Sequence, residues 1–183
     1  MSNKIILDVR ISSYTEPKVR IIALFDKQNQ DLTISKILPY ELPKDPYANK
    51  TTEQLKKMRE NERHTLRVVD NSSILKWDLH FKESEYLQQA ISAYFELNRS
   101  NSLILGKEIS GRYSIESVLQ VRKIDVDKGN VYELNQEETE CGHVAILAAC
   151  WASLRVQYSS TLIEEHADPT PEQIDDFLVP FTI

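Results

Sequence analysis

From Val144 to Ala152 the chain carries no polar side chain: Val-Ala-Ile-Leu-Ala-Ala-Cys-Trp-Ala. A helix through this stretch has no solvent face for two turns, and such a helix must be buried on most sides. Leu147, Trp151, Leu154 and Tyr158 follow at spacings of four, three and four, which aligns them on one stripe. Glu137, Glu138 and Glu140 precede the apolar run, where carboxylates meet the positive end of the helix dipole. The spacing therefore predicts a central helix near 137–158. The rest of the chain must supply its cover: a sheet on one side, and another helix or a second subunit on the other. A second copy makes a homodimer through the central helix one way of burying it.

A chain of 183 residues suits one domain able to bury its own core. Ile5, Leu7, Val9 and Ile11 alternate with Ile6, Asp8 and Arg10, and Val19, Ile21, Ala23 and Phe25 repeat the pattern after Pro17. With Leu32–Leu38 they predict an antiparallel meander of three strands. Pro39, Pro43 and Pro46 make 39–50 a rigid connector, because proline removes a donor and disfavours helix before it. Thr51 and Gln54 have the spacing of a capping box, which opens a peripheral helix read through Leu55, Met58, Leu66 and Val69. Leu75, Trp77, Leu79 and Phe81 alternate as a fourth strand, and Ser84–Asn98 reads as a helix with Leu87, Ile91 and Tyr94 inward. Leu103–Ile109 suits a short strand. Asp127-Lys-Gly-Asn130 reads as a hairpin turn between 118–126 and 131–134, which would extend the sheet, although Ile115, Val118, Leu119 and Arg122 also fit a helix. Thr170, Pro171 and Gln173 open a short final helix over 171–179. The fold class is α+β: an antiparallel sheet, meander plus later strands, packed against helices.

The formal charge is −6, which weighs against a general nucleic-acid binder, since displacing counterions needs a basic surface. Lys56, Lys57, Arg59, Arg63 and Arg67 form one local basic cluster. The four glycines build neither a dinucleotide fingerprint nor a phosphate loop, so nucleotide chemistry has no support. Cys141 and Cys150 are nine positions apart, ~13 Å along a helix at ~1.5 Å per residue, and this is beyond disulfide reach. Two reduced thiols, no signal-peptide pattern at the start and no span-length apolar run lead to a cytoplasmic expectation with no membrane partner.

Candidate chemistry centres on Cys141 and His143. A cysteine at a helix start can lose its proton readily and a nearby histidine can act as base. Against this, the neighbouring glutamates oppose a thiolate, and residues two apart on a helix point to different sides. The plain alternative is a pair of residues in a capping turn. Cys141, His143 and Cys150 lack metal-ligand spacing, Glu164, Glu165, His166 and Asp168 suit a solvated helix end, and no metal or cofactor is expected. Candidate partner-binding residues are Tyr40, Leu42 and Tyr47 in the connector, and Asp175, Asp176, Phe177 and Phe181 in the acidic, apolar tail. The leading expectation is a non-catalytic protein-interaction factor, such as an adaptor, an assembly accessory or chaperone-like factor, or an inhibitor of a larger machine. Its acidic surface would be steered onto a basic partner. The alternatives are a small cysteine-dependent hydrolase or transferase built on Cys141, and a small-ligand-binding domain.

Overall fold

The computed structural model describes residues 3–14, 17–40, 49–62, 64–73, 77–123 and 130–165. Strands β1 (Lys4–Ile11), β2 (Val19–Asp26) and β3 (Asp31–Pro39) form the antiparallel meander. Leu7 lies opposite Ala23, Val9 opposite Ile21 and Ile11 opposite Val19, so one face of the ribbon is wholly apolar and buried. The strict alternation read from the sequence sets this register, because a slip of one residue would turn the whole apolar set to the other face. Asp26 shapes the β2–β3 turn: its carboxylate accepts the Gln28 and Asn29 amides at 3.0 and 3.3 Å.

Helix α1 (Thr52–Glu62) opens as expected, with Thr51 N–H donating to Gln54 Oε1 at 3.1 Å and Gln54 N–H to Thr51 Oγ1 at 3.3 Å. It does not run on to Val69. Strand β4 (Thr65–Val69) follows and pairs in parallel with β1, with Leu66 opposite Leu7 and Val68 opposite Val9. Leu66 and Val68 thereby join the core layer, and the free edge of β1 outweighs the helical spacing read into 55–69. The strand expected over 75–81 shrinks to β5 (Leu79–His80), parallel to β4; residues 74–76 lie outside the described residues. Asp78 helps to end it, since its carboxylate takes the Arg67 N–H at 2.7 Å.

Helix α2 (Glu83–Arg99) matches its expected span. It stops in a Schellman turn. Asn101 holds φ 57°, Ser102 N–H donates to Leu97 O at 2.8 Å, and Asn101 N–H donates to Asn98 O at 3.2 Å. The turn feeds β6 (Leu103–Leu105), which is shorter than the 103–109 expected and pairs in parallel with β3. Helices α3 (Lys107–Arg112) and α4 (Ile115–Val118) lead to the hairpin of β7 (Leu119–Lys123) and β8 (Asn130–Leu134). The hairpin does not extend the main sheet. It stands as a separate ribbon tied to α2, where Gln88 Nε2 donates to Tyr132 O at 2.6 Å and Tyr132 N–H to Gln88 Oε1 at 3.2 Å. The six-stranded sheet has the order β5-β4-β1-β2-β3-β6, with an antiparallel centre and parallel flanks.

Helix α5 (Cys141–Glu165) starts four residues later than the acidic run suggested. It lies between the sheet and α2, and every residue from Cys141 to Ser153 is buried. The second wall of the central helix is thus α2 of the same chain. Ala145, Ala148, Ala149 and Ala152 let backbone approach backbone, and Trp151 fills the remaining space against Phe81 and Tyr86 at ring-centroid distances of 5.4 and 4.8 Å. Among the described residues, no helix is long and apolar enough to cross a membrane.

Candidate functional site

The amino end of α5 holds the two residues with the most chemical promise in the sequence. Glu140 caps the helix. Its carbonyl accepts the His143 amide at 3.2 Å, and its own amide donates to His143 Nδ1 at 3.0 Å. His143 thus plays at the third helical position the part that a glutamate or glutamine plays in a capping box. Burial holds the imidazole below its ordinary value, and the Glu140 carboxylate pulls the other way. The ring meets Tyr113 edge to face at 5.1 Å and 82°. Tyr113 in turn covers Gly142, where an added Cβ would fall 2.2 Å from the ring. Arg112 closes the assembly, its guanidinium 5.1 Å above the Tyr113 ring and 3.9 Å from the Glu140 carboxylate. Cys141 is fully buried beneath these groups, and burial pushes the Cys150 thiol up to about 12. The arrangement performs capping and packing: the nitrogen a catalytic base would use already accepts a backbone amide.

On the far side of β1, Asp8 is buried between two arginines. Arg20 grips it with two bonds, Nε to Oδ1 at 3.0 Å and Nη2 to Oδ2 at 3.1 Å, and Arg10 lies 3.4 Å away. Arg10 and Arg20 are direct cross-strand neighbours, so the carboxylate offsets a like-charge pair. Asp70 is also structural: its carboxylate accepts the Ser12 and Ser13 amides at 3.0 and 2.8 Å and pins the chain leaving β1.

The surface tells more. Among the described residues the exposed large apolar side chains are Leu24 at 38%, Ile104 at 49%, Val121 at 55% and Tyr158 at 64%. Three of the four gather at one end of the domain. Leu24 pairs with Thr33 and Thr33 with Ile104, so Leu24 and Ile104 share one row on the outward face of the sheet. Around the edge strand β6, on the helix side, Tyr158 stands at the mouth of a cleft of about 310 Å³ between α2, α5 and the β2–β3 turn. Phe25, Ala93, Leu97 and Leu154 give the cleft its apolar wall, with buried Ser153 among them. Gln30, Glu96, Ser102 and Gln157 add polar groups. None of these residues carries a motif. The alternation of β2 and β6 marks which side chains face outward, but only the pairing of β3 with β6 brings them together.

Of the partner-binding candidates, Tyr40 is described. It is half-buried beyond the end of β3, with the Lys18 ammonium 5.9 Å from its ring centroid. That is the opposite end of the meander from Leu24, since Pro39 pairs with Val19. Leu42, Tyr47, Asp175, Asp176, Phe177, Phe181, His166 and the helix expected at 171–179 lie outside the described residues. Among the described residues no group of three or more acidic, histidine or cysteine side chains is placed to hold a metal. No family model, curated protein or solved structure matches the chain.

Proposed function

We propose that the chain is a non-catalytic protein-interaction factor, an adaptor or assembly accessory factor, that holds a partner at the β6 end of its sheet. The observation that carries this reading is the outward row of Leu24 and Ile104, with exposed Tyr158 on the helix side of the same edge. Exposed apolar side chains that share one face, as Leu24 and Ile104 do, mark an interaction surface, whereas scattered ones do not. The formal charge of −6 favours a basic protein as partner and disfavours direct nucleic-acid binding. Free thiols at Cys141 and Cys150 fit a reducing, cytoplasmic setting.

The test is capture from a lysate of the native host at low salt, by the wild type and by the double variant Leu24→Ser, Ile104→Ser. Both replaced side chains are exposed, so the fold should hold, which circular dichroism checks. A stoichiometric partner lost with the double variant, and lost again at high salt, supports the reading. A partner held equally by both proteins refutes this surface, and a homo-oligomer with no partner at either salt refutes the accessory role.

A further inference from the structure

Resting on the interaction reading above, we infer that the partner docks by strand addition: an extended segment of it pairs with β6 and continues the six-stranded sheet. The backbone argues first. In the parallel pairing of β3 with β6, Leu32 N–H donates to Ser102 O at 2.8 Å and Gly106 N–H to Ile34 O at 2.9 Å. Between these bonds Ile104 is the β6 residue that turns both its N–H and its C=O toward β3. The N–H and C=O groups of Leu103 and Leu105 therefore point away from the sheet, and no group among the described residues bonds to them. Two donors and two acceptors in one row, repeating at every second residue, match the edge of another extended backbone. A small ion or a helix presents no such row, so the edge specifies the conformation of what covers it.

The other strand edges are closed or guarded. β5 is 2 residues long, which leaves little to pair with. On the β8 edge, Gln88 already takes both the N–H and the C=O of Tyr132. β7 carries Arg122, paired with Glu133. Residues 102–106, Ser-Leu-Ile-Leu-Gly, hold neither a charge nor a proline, the devices that keep an exposed edge from pairing. The side chains agree. An added strand places alternate residues on the outward face beside Ile104, next in the row that runs through Thr33 to Leu24. An apolar or β-branched residue there takes the exposed Ile104 side chain out of water. A second copy is the weaker occupant: its own β6 is 3 residues long, and each copy brings a formal charge of −6.

The experiment uses the full chain, isotopically labelled, and the blocked peptide acetyl-Val-Lys-Val-Lys-Val-amide, a basic segment with strand alternation. Amide hydrogen exchange at residues 103–105 is read with and without it. In the free protein Leu103 and Leu105 should exchange fast, and Ile104, bonded to β3, slowly. With the peptide at about ten times its Kd, Leu103 and Leu105 should slow about tenfold while Ile104 changes little. The same peptide N-methylated at its central amides cannot donate to the edge and should bind about tenfold more weakly. Ile104→Lys adds a guarding charge at an exposed position and should weaken binding about fivefold. Leu103 and Leu105 amides already slow in the free chain, or left fast by the peptide, overturn the assignment. Equal binding of the N-methylated peptide, or binding unchanged in Ile104→Lys, does the same. Slowing that grows with protein concentration alone assigns the edge to a second copy and overturns it equally. The two readings fail separately. A lysate partner lost with Leu24→Ser, Ile104→Ser whose complex leaves both amides fast keeps the interaction surface and removes strand addition from it.

Discussion

Replacing Gly142 with alanine sets two effects of known sign against each other. Gly142 is the second residue of α5, and alanine in a helix interior is favoured over glycine by about 0.5–1 kcal/mol, less in the first turn. On propensity alone the variant should be more stable. The packing says otherwise. The new Cβ would lie 2.2, 2.3 and 2.6 Å from three ring carbons of Tyr113, and that ring is buried between His143 and Arg112. Real contacts of this kind do not fall below 3.0 Å, so the ring or the helix start must move. Overpacking a filled core costs about 1–3 kcal/mol. Packing wins, and the net loss should be about 1–2 kcal/mol. For a domain of this size, ~2–4 °C per kcal/mol turns that into a fall in Tm of about 2–8 °C. Thermal and urea unfolding followed by circular dichroism measure it. The cause is separated from general damage by repeating Gly142→Ala in a Tyr113→Leu background, where its cost should drop below about 0.5 kcal/mol. A variant as stable as the wild type, or one equally damaged with and without the Tyr113 ring, would refute the reasoning.

Three further outcomes are expected. Asp8→Asn leaves Arg10 and Arg20 facing each other without their carboxylate and should cost about 3 kcal/mol in urea unfolding; a change below 1 kcal/mol would show that the pair is indifferent to it. His143 has its pKa lowered by burial, so the unfolded chain takes up protons first as pH falls through ~6.5. The contribution of His143 is therefore complete above that pH and is lost toward the lower folded value. His143→Gln should flatten the stability profile between pH 7 and 5, and an unchanged slope contradicts the assignment. Cys150, with its thiol pushed up to about 12, and fully buried Cys141 should both resist alkylation at pH 8 until urea unfolds the chain. Mass spectrometry reads the adducts, and faster labelling of folded Cys141 than of a free thiol would revive the cysteine-enzyme alternative.

What the sequence determined by itself was local. The meander follows from period-two alternation, the start of α1 from the Thr51–Gln54 spacing, and the burial of α5 from a run with no polar side chain. Each of these signals sits within a few residues, where backbone geometry decides which side chains share a face. The tertiary structure decided the rest. Residues 65–69 fit a helical stripe and a strand equally well, and the open edge of β1, almost sixty positions earlier, chose the strand. His143 was legible as a capping-turn residue, but its bond to the Glu140 amide and its contact with Tyr113 were not, because Tyr113 arrives from the distant turn that ends α3. The candidate surface was the least legible part. Leu24, Ile104 and Tyr158 are ordinary apolar residues in three distant segments. Leu24 and Ile104 share a row only when β3 pairs with β6, and Tyr158 reaches the other side of that edge only through the packing of α5. Burial patterns are written in the chain at short range, whereas what is left exposed together depends on which edges and faces long-range packing has already used.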